Sequence, residues 1–294
     1  MPPAAASFTP DGQTRLYGVL GHPVAASLSP AFQNAGFRAL GLNALYVAFP
    51  VLPDDLAVAV RGLAAAGIAG FNLTAPHKVA ILPLLERILP EAQAIGAVNT
   101  VRCEPAGNGT RLIGTNTDGS GFLRSLERDL NLHPRGKRIL MLGAGGAARG
   151  IAHALLREQA ATLWIANRTL SRAVELVAAL RAHYPAAQIE ALPLESAPGL
   201  APHLLVNTTT VGMGDGKSPL RLSAVRVQEA VVDIVYHHAE TPLLAEARAL
   251  GLPHTSGIGM LLYQGAAGFE FWTGKTAPVE PMRAALLTAL RARG

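Results

Sequence analysis

Residues Arg138-Ile139-Leu140-Met141-Leu142 form an apolar run of the length of one buried strand, and Gly143-Ala144-Gly145-Gly146-Ala147 follows at once. A helical pattern then covers 145–158, and a second strand pattern covers 162–166, the spacing of a βαβ unit. Glycines let such a turn bend sharply and approach a pyrophosphate closely. The helix behind it adds free N–H donors and a partial positive charge. A bare strand-to-helix link uses the same glycines, so the reading rests on the strand before the turn and the strand after its helix. It predicts a Rossmann-type unit whose Gly143, Ala144, Gly145, Gly146 and Ala147 hold a dinucleotide.

Apolar runs alternate with helical patterns elsewhere too. Strands are expected at 15–20, 44–49, 69–73, 97–102, 138–142, 162–166, 203–207 and 230–234. Helices are expected at 30–41, 145–158, 169–182, 241–250, 258–272 and 280–291. In the first of these, Phe32, Ala35, Ala39 and Leu40 make one apolar face, with Ser29 as N-cap and Pro30 as first residue. Residues 105–110 read as a tight turn joining two strands. The alternation implies an α/β fold with largely parallel sheets flanked by helices. The 294 residues suffice for two domains, with a boundary near 117–137.

After the second strand of the unit comes Asn167-Arg168-Thr169-Leu170-Ser171-Arg172. An NAD-preferring site usually has a carboxylate here for the ribose 2′-OH. This chain offers Arg168, Thr169 and Arg172 instead, and a guanidinium pairs with a phosphate through two prongs. The cofactor expected is therefore NADP(H), with helix capping or solvation as the alternative use of these arginines.

Composition excludes several classes. Half the chain is hydrophobic, yet the richest stretch, Leu56 to Ala69, is broken by Arg61 and Gly67, so no membrane span is expected. Met1 to Pro10 lacks a basic region and an apolar core, and it does not read as a signal peptide. The single cysteine, Cys103, allows no internal disulfide and suits a reducing cytoplasm; it reads as a half-buried strand residue. The net charge of +5 is scattered, without the clustered patch that nucleic acid requires, and it suits anionic ligands. His237 and His238 point apart on extended chain and have no Cys or Asp beside them, so no metal is expected. The sequence leaves oligomeric state open, a homodimer included.

Several predicted strands end in polar side chains. Ser27 and Ser29 put two hydroxyls ahead of a helix, where they serve either a small anion or capping. Asn72, Thr74 and Lys78 follow the 69–73 strand, with Pro76 opening a helix and Lys78 about one turn into it. Asn99 with Thr100, and Asn116 with Asp118, end two others. Lys78 and Asp118 are the candidate acid/base pair.

The Ser27-Leu28-Ser29-Pro30 turn, Asn72 to Lys78, Gly96 to Thr100 and Asn116 to Phe122 come in that order. The glycine loop with Asn167-Arg168-Thr169 and then Gly257 to Gln264 complete the set. In this the chain resembles the shikimate dehydrogenases, from about Tyr17 to Gly274. The resemblance implies reduction of 3-dehydroshikimate to shikimate with NADPH, in aromatic amino-acid biosynthesis. It implies that Ser27 and Ser29 bind the substrate carboxylate, that Thr74, Asn99 and Gln264 hold its hydroxyls, and that Tyr236 lines the pocket. Lys78 becomes the catalytic acid/base with Asp118 beside it, also against substrate. Asn167 to Arg172 join the glycine loop in holding the cofactor, with Ile234 and Gly257 near the nicotinamide. The resemblance further implies an N-terminal substrate-binding and catalytic domain over 1–117, a doubly wound NADP-binding domain over 118–259, and C-terminal helices, 260–294, returning to the first.

Three positions depart from the family pattern. Ala26 stands where His or Lys is frequent, Gln33 where His is, and His238 where a proline is usual; the first two bear on the carboxylate end and the third on a cofactor-side loop. A quinate/shikimate paralogue using NAD or NADP would share Ser27, Ser29, Lys78 and Asp118. A non-catalytic NADP-binding sensor would show a damaged acid/base pair, whereas both members are present.

Overall fold

The computed structural model describes residues 9–107, 109–214, 216–236 and 240–292. The Met1 to Pro10 reading therefore falls largely, and the His237 and His238 readings wholly, outside the described residues.

The first half of the chain supplies β1 (Arg15–Gly21), β2 (Ala44–Pro50), β3 (Gly70–Leu73), β4 (Arg87–Ile88), β5 (Thr100–Ala106) and β6 (Gly109–Thr115). The second half supplies β7 (Arg138–Leu142), β8 (Thr162–Asn167), β9 (Gln188–Pro193), β10 (Leu204–Asn207), β11 (Ala230–Asp233) and β12 (His254–Ser256). The helices are α1 (Ser29–Ala39), α2 (Leu56–Ala65), α3 (His77–Ala80), α4 (Pro90–Ile95), α5 (Asp118–Leu130), α6 (Gly146–Arg157), α7 (Leu170–His183), α8 (Pro242–Ala249), α9 (Ile258–Thr273) and α10 (Val279–Arg291). Among the described residues no helix is long and apolar enough to cross a membrane.

The first sheet has the order β2-β1-β3-β5-β6-β4. β1, β2 and β3 run parallel, while β5 is antiparallel to both its neighbours. The sheet is therefore mixed. Its register pairs Leu20 with Leu73, Asn72 with Thr100 and Thr100 with Thr115. The carboxyl ends of β1, β3 and β6 and the amino end of β5 thus share one edge, and there Ser27, Thr74, Asn99 and Asn116 follow or precede their strands.

The second sheet is parallel throughout, in the order β12-β11-β10-β7-β8-β9. The chain starts at the centre, winds outward through β8 and β9, then returns to β10 on the other side of β7, which creates a switch point beside β7. Alternate residues of β7 go to opposite faces: Ile139 and Met141 into one core with α6 and α7, Leu140 and Leu142 into another with α8. Burial on both faces explains the unbroken apolar runs that marked these strands.

α9 and α10 pack back on the first sheet. Leu262, Phe269, Trp272, Met282 and Leu286 join Tyr17, Phe32, Phe37 and Tyr46 in one core. The Trp272 indole donates to Val101 O at 2.9 Å. Each large apolar side chain buried in this way stabilises by about 1.5–3 kcal/mol. α5 lies between the two halves, against α6 on one side and α9 on the other.

Local details differ from the sequence reading. α1 begins at Ser29 with Leu28 as its cap, and no side-chain cap forms; the Ser29 amide instead donates to Ser27 Oγ at 3.2 Å. Lys78 is the second residue of a four-residue helix, not one turn in. Cys103 lies in β5 and is buried rather than half-buried, and burial pushes its thiol up to about 12.

Candidate active site

Lys78 Nζ lies 2.6 Å from Asp118 Oδ2, with the two side chains 15% and 4% exposed. Forty residues separate them in sequence, and local structure brings each to the meeting point. His77, at the start of α3, points inward and its Nε2 bonds Val51 O at 2.8 Å. The Val98 amide donates to Lys78 O at 2.8 Å, tying α3 to the strand edge. Asp118 opens α5, where a carboxylate meets the helix dipole favourably. Its amide donates to Asn116 Oδ1 at 3.0 Å, and Asn116 Nδ2 donates to Ala97 O at 2.9 Å.

Asn99 joins the pair. Its Nδ2 donates to Asp118 Oδ1 at 2.8 Å and also approaches Thr117 Oγ1 at 3.0 Å and Gln264 Oε1 at 3.3 Å. An amide nitrogen has two hydrogens for these three acceptors, so the neutral Gln264 contact, the longest, is the one most easily given up. Gln264 Nε2 donates to Leu261 O at 2.8 Å, anchoring the side chain to its own helix.

The glycine turn stands directly against this group. A Cβ built on Gly146 would sit 3.2 Å from both Cβ and Cδ of Lys78, so only a glycine leaves this much room beside the lysine stem. The turn also fits a diphosphate: Gly145 caps α6 without a side-chain hydrogen bond, and a Cβ there would meet nothing within 4 Å. Register sets the flanks. Leu142 pairs with Ala166 and with Asn207, Asn207 with Asp233, and Asp233 with Ser256. Asn167 to Arg172, Ile234 and Gly257 therefore leave the sheet at the same edge as the turn. Asn167 Nδ2 donates to Thr169 O at 2.8 Å, which shapes the loop, while Arg168, Thr169 and Arg172 are exposed.

The carboxylate end is less fully joined. Ser29 is buried, and Tyr236 packs against the core of the first sheet that Tyr46 belongs to. Ser27 accepts from the Ser29 amide. Thr74 stands at the strand edge with Cγ2 against Gly21. Gln33 is buried, with Nε2 on Gly265 O at 2.9 Å. Ala26 is exposed.

Two members escaped the sequence reading as site residues: Tyr46 and Thr117. Tyr46 is buried in β2 and donates to Asn72 Oδ1 at 2.7 Å. A tyrosine in an otherwise apolar strand is the available signal, since a buried phenol needs a polar partner. Thr117 brackets Asn99: its Oγ1 accepts from Nδ2 at 3.0 Å, and its amide donates to Oδ1 at 2.9 Å. No spacing in the sequence foretells that exchange.

A doubly wound sheet with a glycine turn, set against a lysine–aspartate pair carried by α3 and α5 at the edge of a second sheet, defines a two-part dinucleotide-dependent oxidoreductase. Comparison with known proteins narrows this. Residues 19–101 match the shikimate dehydrogenase substrate binding domain, 126–201 the shikimate/quinate 5-dehydrogenase model and 257–287 the shikimate 5′-dehydrogenase C-terminal domain. The chain is 50% identical to shikimate dehydrogenase (NADP(+)) of Geobacter metallireducens over 285 residues, 95% of this chain and 98% of that one. Among solved structures, a shikimate dehydrogenase in complex with NADP+ is similar at a TM-score of 0.86 and 35% identity, covering 96% of this chain and 98% of that one. The enzyme of Thermus thermophilus in complex with NADP(H) and shikimate gives 0.82 and 39%, over 94% and 99%. The chain belongs to the shikimate dehydrogenase family.

Proposed function

We propose that this protein interconverts 3-dehydroshikimate and shikimate with NADP(H), a step of aromatic amino-acid biosynthesis, and does so in the cytoplasm. The observation that carries the reading is the Lys78–Asp118 contact beside Gly146. Gly143 to Ala147 would hold the diphosphate of NADP(H) and Arg168 and Arg172 its 2′-phosphate, and the bound cofactor would supply the hydride. Lys78 gives a proton to the carbonyl oxygen during reduction and takes it back during oxidation. Its positive charge also stabilises the negative charge growing on that oxygen.

Asp118 holds the ammonium on the substrate side and accepts from a ring hydroxyl. Asn99 and Gln264 meet the other hydroxyls, with Thr74 at the same edge. The hydroxyls of Ser27 and Ser29 take the carboxylate, and Tyr236 closes that end. Ile234 and Gly257, at the same sheet edge, would border the nicotinamide. Asn167 and Thr169 shape the loop that presents the arginines.

A spectrophotometric assay of NADPH or NADH formation tests this, with shikimate or quinate as substrate and NADP+ or NAD+ as cofactor. Fastest turnover with shikimate plus NADP+ is expected. Faster turnover of quinate with NAD+ would identify the quinate-type activity instead, and no turnover in any combination would sink the reading.

A further inference from the structure

Tyr46 contributes to no chemistry proposed above, yet it ends a chain of hydrogen bonds that begins at Asp118. As a carboxylate Asp118 can only accept, so Asn99 must present its Nδ2, at 2.8 Å. Asn99 Oδ1 is then left to accept. Thr100 Oγ1 donates to it at 2.9 Å, and the Thr117 amide donates to the same oxygen at 2.9 Å. With its proton used, the Thr100 oxygen accepts from Asn72 Nδ2 at 3.0 Å, and the same nitrogen donates to the Asn99 backbone carbonyl at 3.1 Å. That leaves Asn72 Oδ1 facing Tyr46, whose hydroxyl donates at 2.7 Å. The whole path is buried, and each link supports the donor–acceptor sense of the next.

We propose that Tyr46 is a positioning residue for the Lys78–Asp118 pair: it holds the oxygen end of the Asn72 amide while the Asn99 carbonyl holds the nitrogen end, which seats Asn72 against Thr100 and so steadies Asn99, whose N–H points at Asp118. Burial holds the phenol pKa well above its ordinary value, against a hydrogen bond from Ser29, so Tyr46 remains a donor at any working pH. Ser29 sits at the opposite end of the path from Lys78, so the path spans the pocket from its carboxylate end to its proton-transfer end. Without the phenol proton, Asn72 Oδ1 is left buried and unsatisfied, and the side chain is held from its nitrogen end alone, so it can shift away from Thr100. The inference rests on the reading of Lys78 and Asp118 as the proton-handling pair.

The test compares Tyr46→Phe, Thr100→Val and the double variant with the wild type. Each single change is expected to lower kcat by about tenfold, with KM for NADP+ changing by less than about twofold. Because both cut one path, the double variant should fall no more than about twofold below the worse single one. An unchanged kcat in Tyr46→Phe, losses that multiply, or a KM for NADP+ rising in step with the loss of kcat would each overturn the proposal. The side-chain amide resonances of Asn99 give a readout independent of turnover. They should move in Tyr46→Phe and in Thr100→Val, and resonances that stay in place in both would overturn it even if shikimate proved not to be the substrate. Absence of wild-type turnover, by contrast, would count against the proposed function alone.

Discussion

Arg168 and Arg172 leave the end of β8 exposed, with no side-chain hydrogen bond or ion pair among the described residues. Their neighbours include no carboxylate at 167–169, so a 2′-phosphate would meet two guanidinium groups and no repulsion. Arg168→Ala is expected to raise KM for NADPH by about tenfold or more and to change KM for NADH by less than about twofold. Steady-state kinetics with both cofactors check this, and equal effects would argue against a phosphate contact. The arginines were legible in the sequence because they follow a strand at fixed spacing. Lys78, Asp118 and Asn99 were legible as polar groups at strand ends. Tyr46 was not, because its polar tip points from an apolar strand toward a partner, Asn72, brought there only by pairing of β2 with β1 and of β1 with β3.

At the level of elements, α6 carries a titratable group with a measurable consequence. His153 lies edge-on to Tyr184, with centroids 5.3 Å apart, and its Nε2 is 3.1 Å from the Tyr184 hydroxyl. Burial, the largest influence, lowers its pKa below the ordinary 6.5, with Glu91 opposing. The folded protein therefore resists a proton that the unfolded chain accepts. This contribution to stability is full above pH 6.5 and falls as pH drops through that value toward the folded pKa. The melting temperature of the wild type should fall relative to that of His153→Leu as the pH is lowered from about 7.5 to about 5; parallel curves would contradict this.

The entry to α9 is as tightly set. A Cβ on Gly257 would lie 1.9 Å from Ile234 O, and both backbones are held, Ile234 N by Asn207 O and Gly257 N by Val235 O. Gly257→Ala should cost about 1–3 kcal/mol in denaturant unfolding, and unchanged stability would show that the loop yields freely. The strands of the second sheet buried on both faces were read from sequence, while β4, β9 and β12 were missed, β6 was implied only by the turn at 105–110, and β5 runs over Thr100–Ala106 rather than 97–102. β9 is an edge strand with one buried residue, Ile189, and β12 is three half-buried polar residues. α2, α4 and α5 were also missed; in α5 the buried face mixes Phe122 and Leu126 with Asp118, Gly119, Gly121 and Ser125, and the glycines near its start read as a loop.

On the scale of the molecule, two sheets present their polar edges to each other, and α5, which begins with Asp118, sits between them. Arg157 of α6 pairs with Glu91 of α4 across the same junction. We propose that residues 1–117 with 260–294 act as the substrate-binding unit and 118–259 as the NADP-binding unit, ligands meeting in the crevice between. Alternating strand and helix patterns carried the class of fold, but the placement of the crevice depends on α9 returning through Phe269 and Trp272, which periodicity does not show. The central claim is that the lysine at this junction handles the substrate proton. The most direct measurement is kcat of Lys78→Ala for shikimate oxidation, alongside its affinity for NADP+. A fall in kcat of about 10²–10⁴-fold with NADP+ affinity retained is expected. A variant that turns over at the wild-type rate would contradict the account.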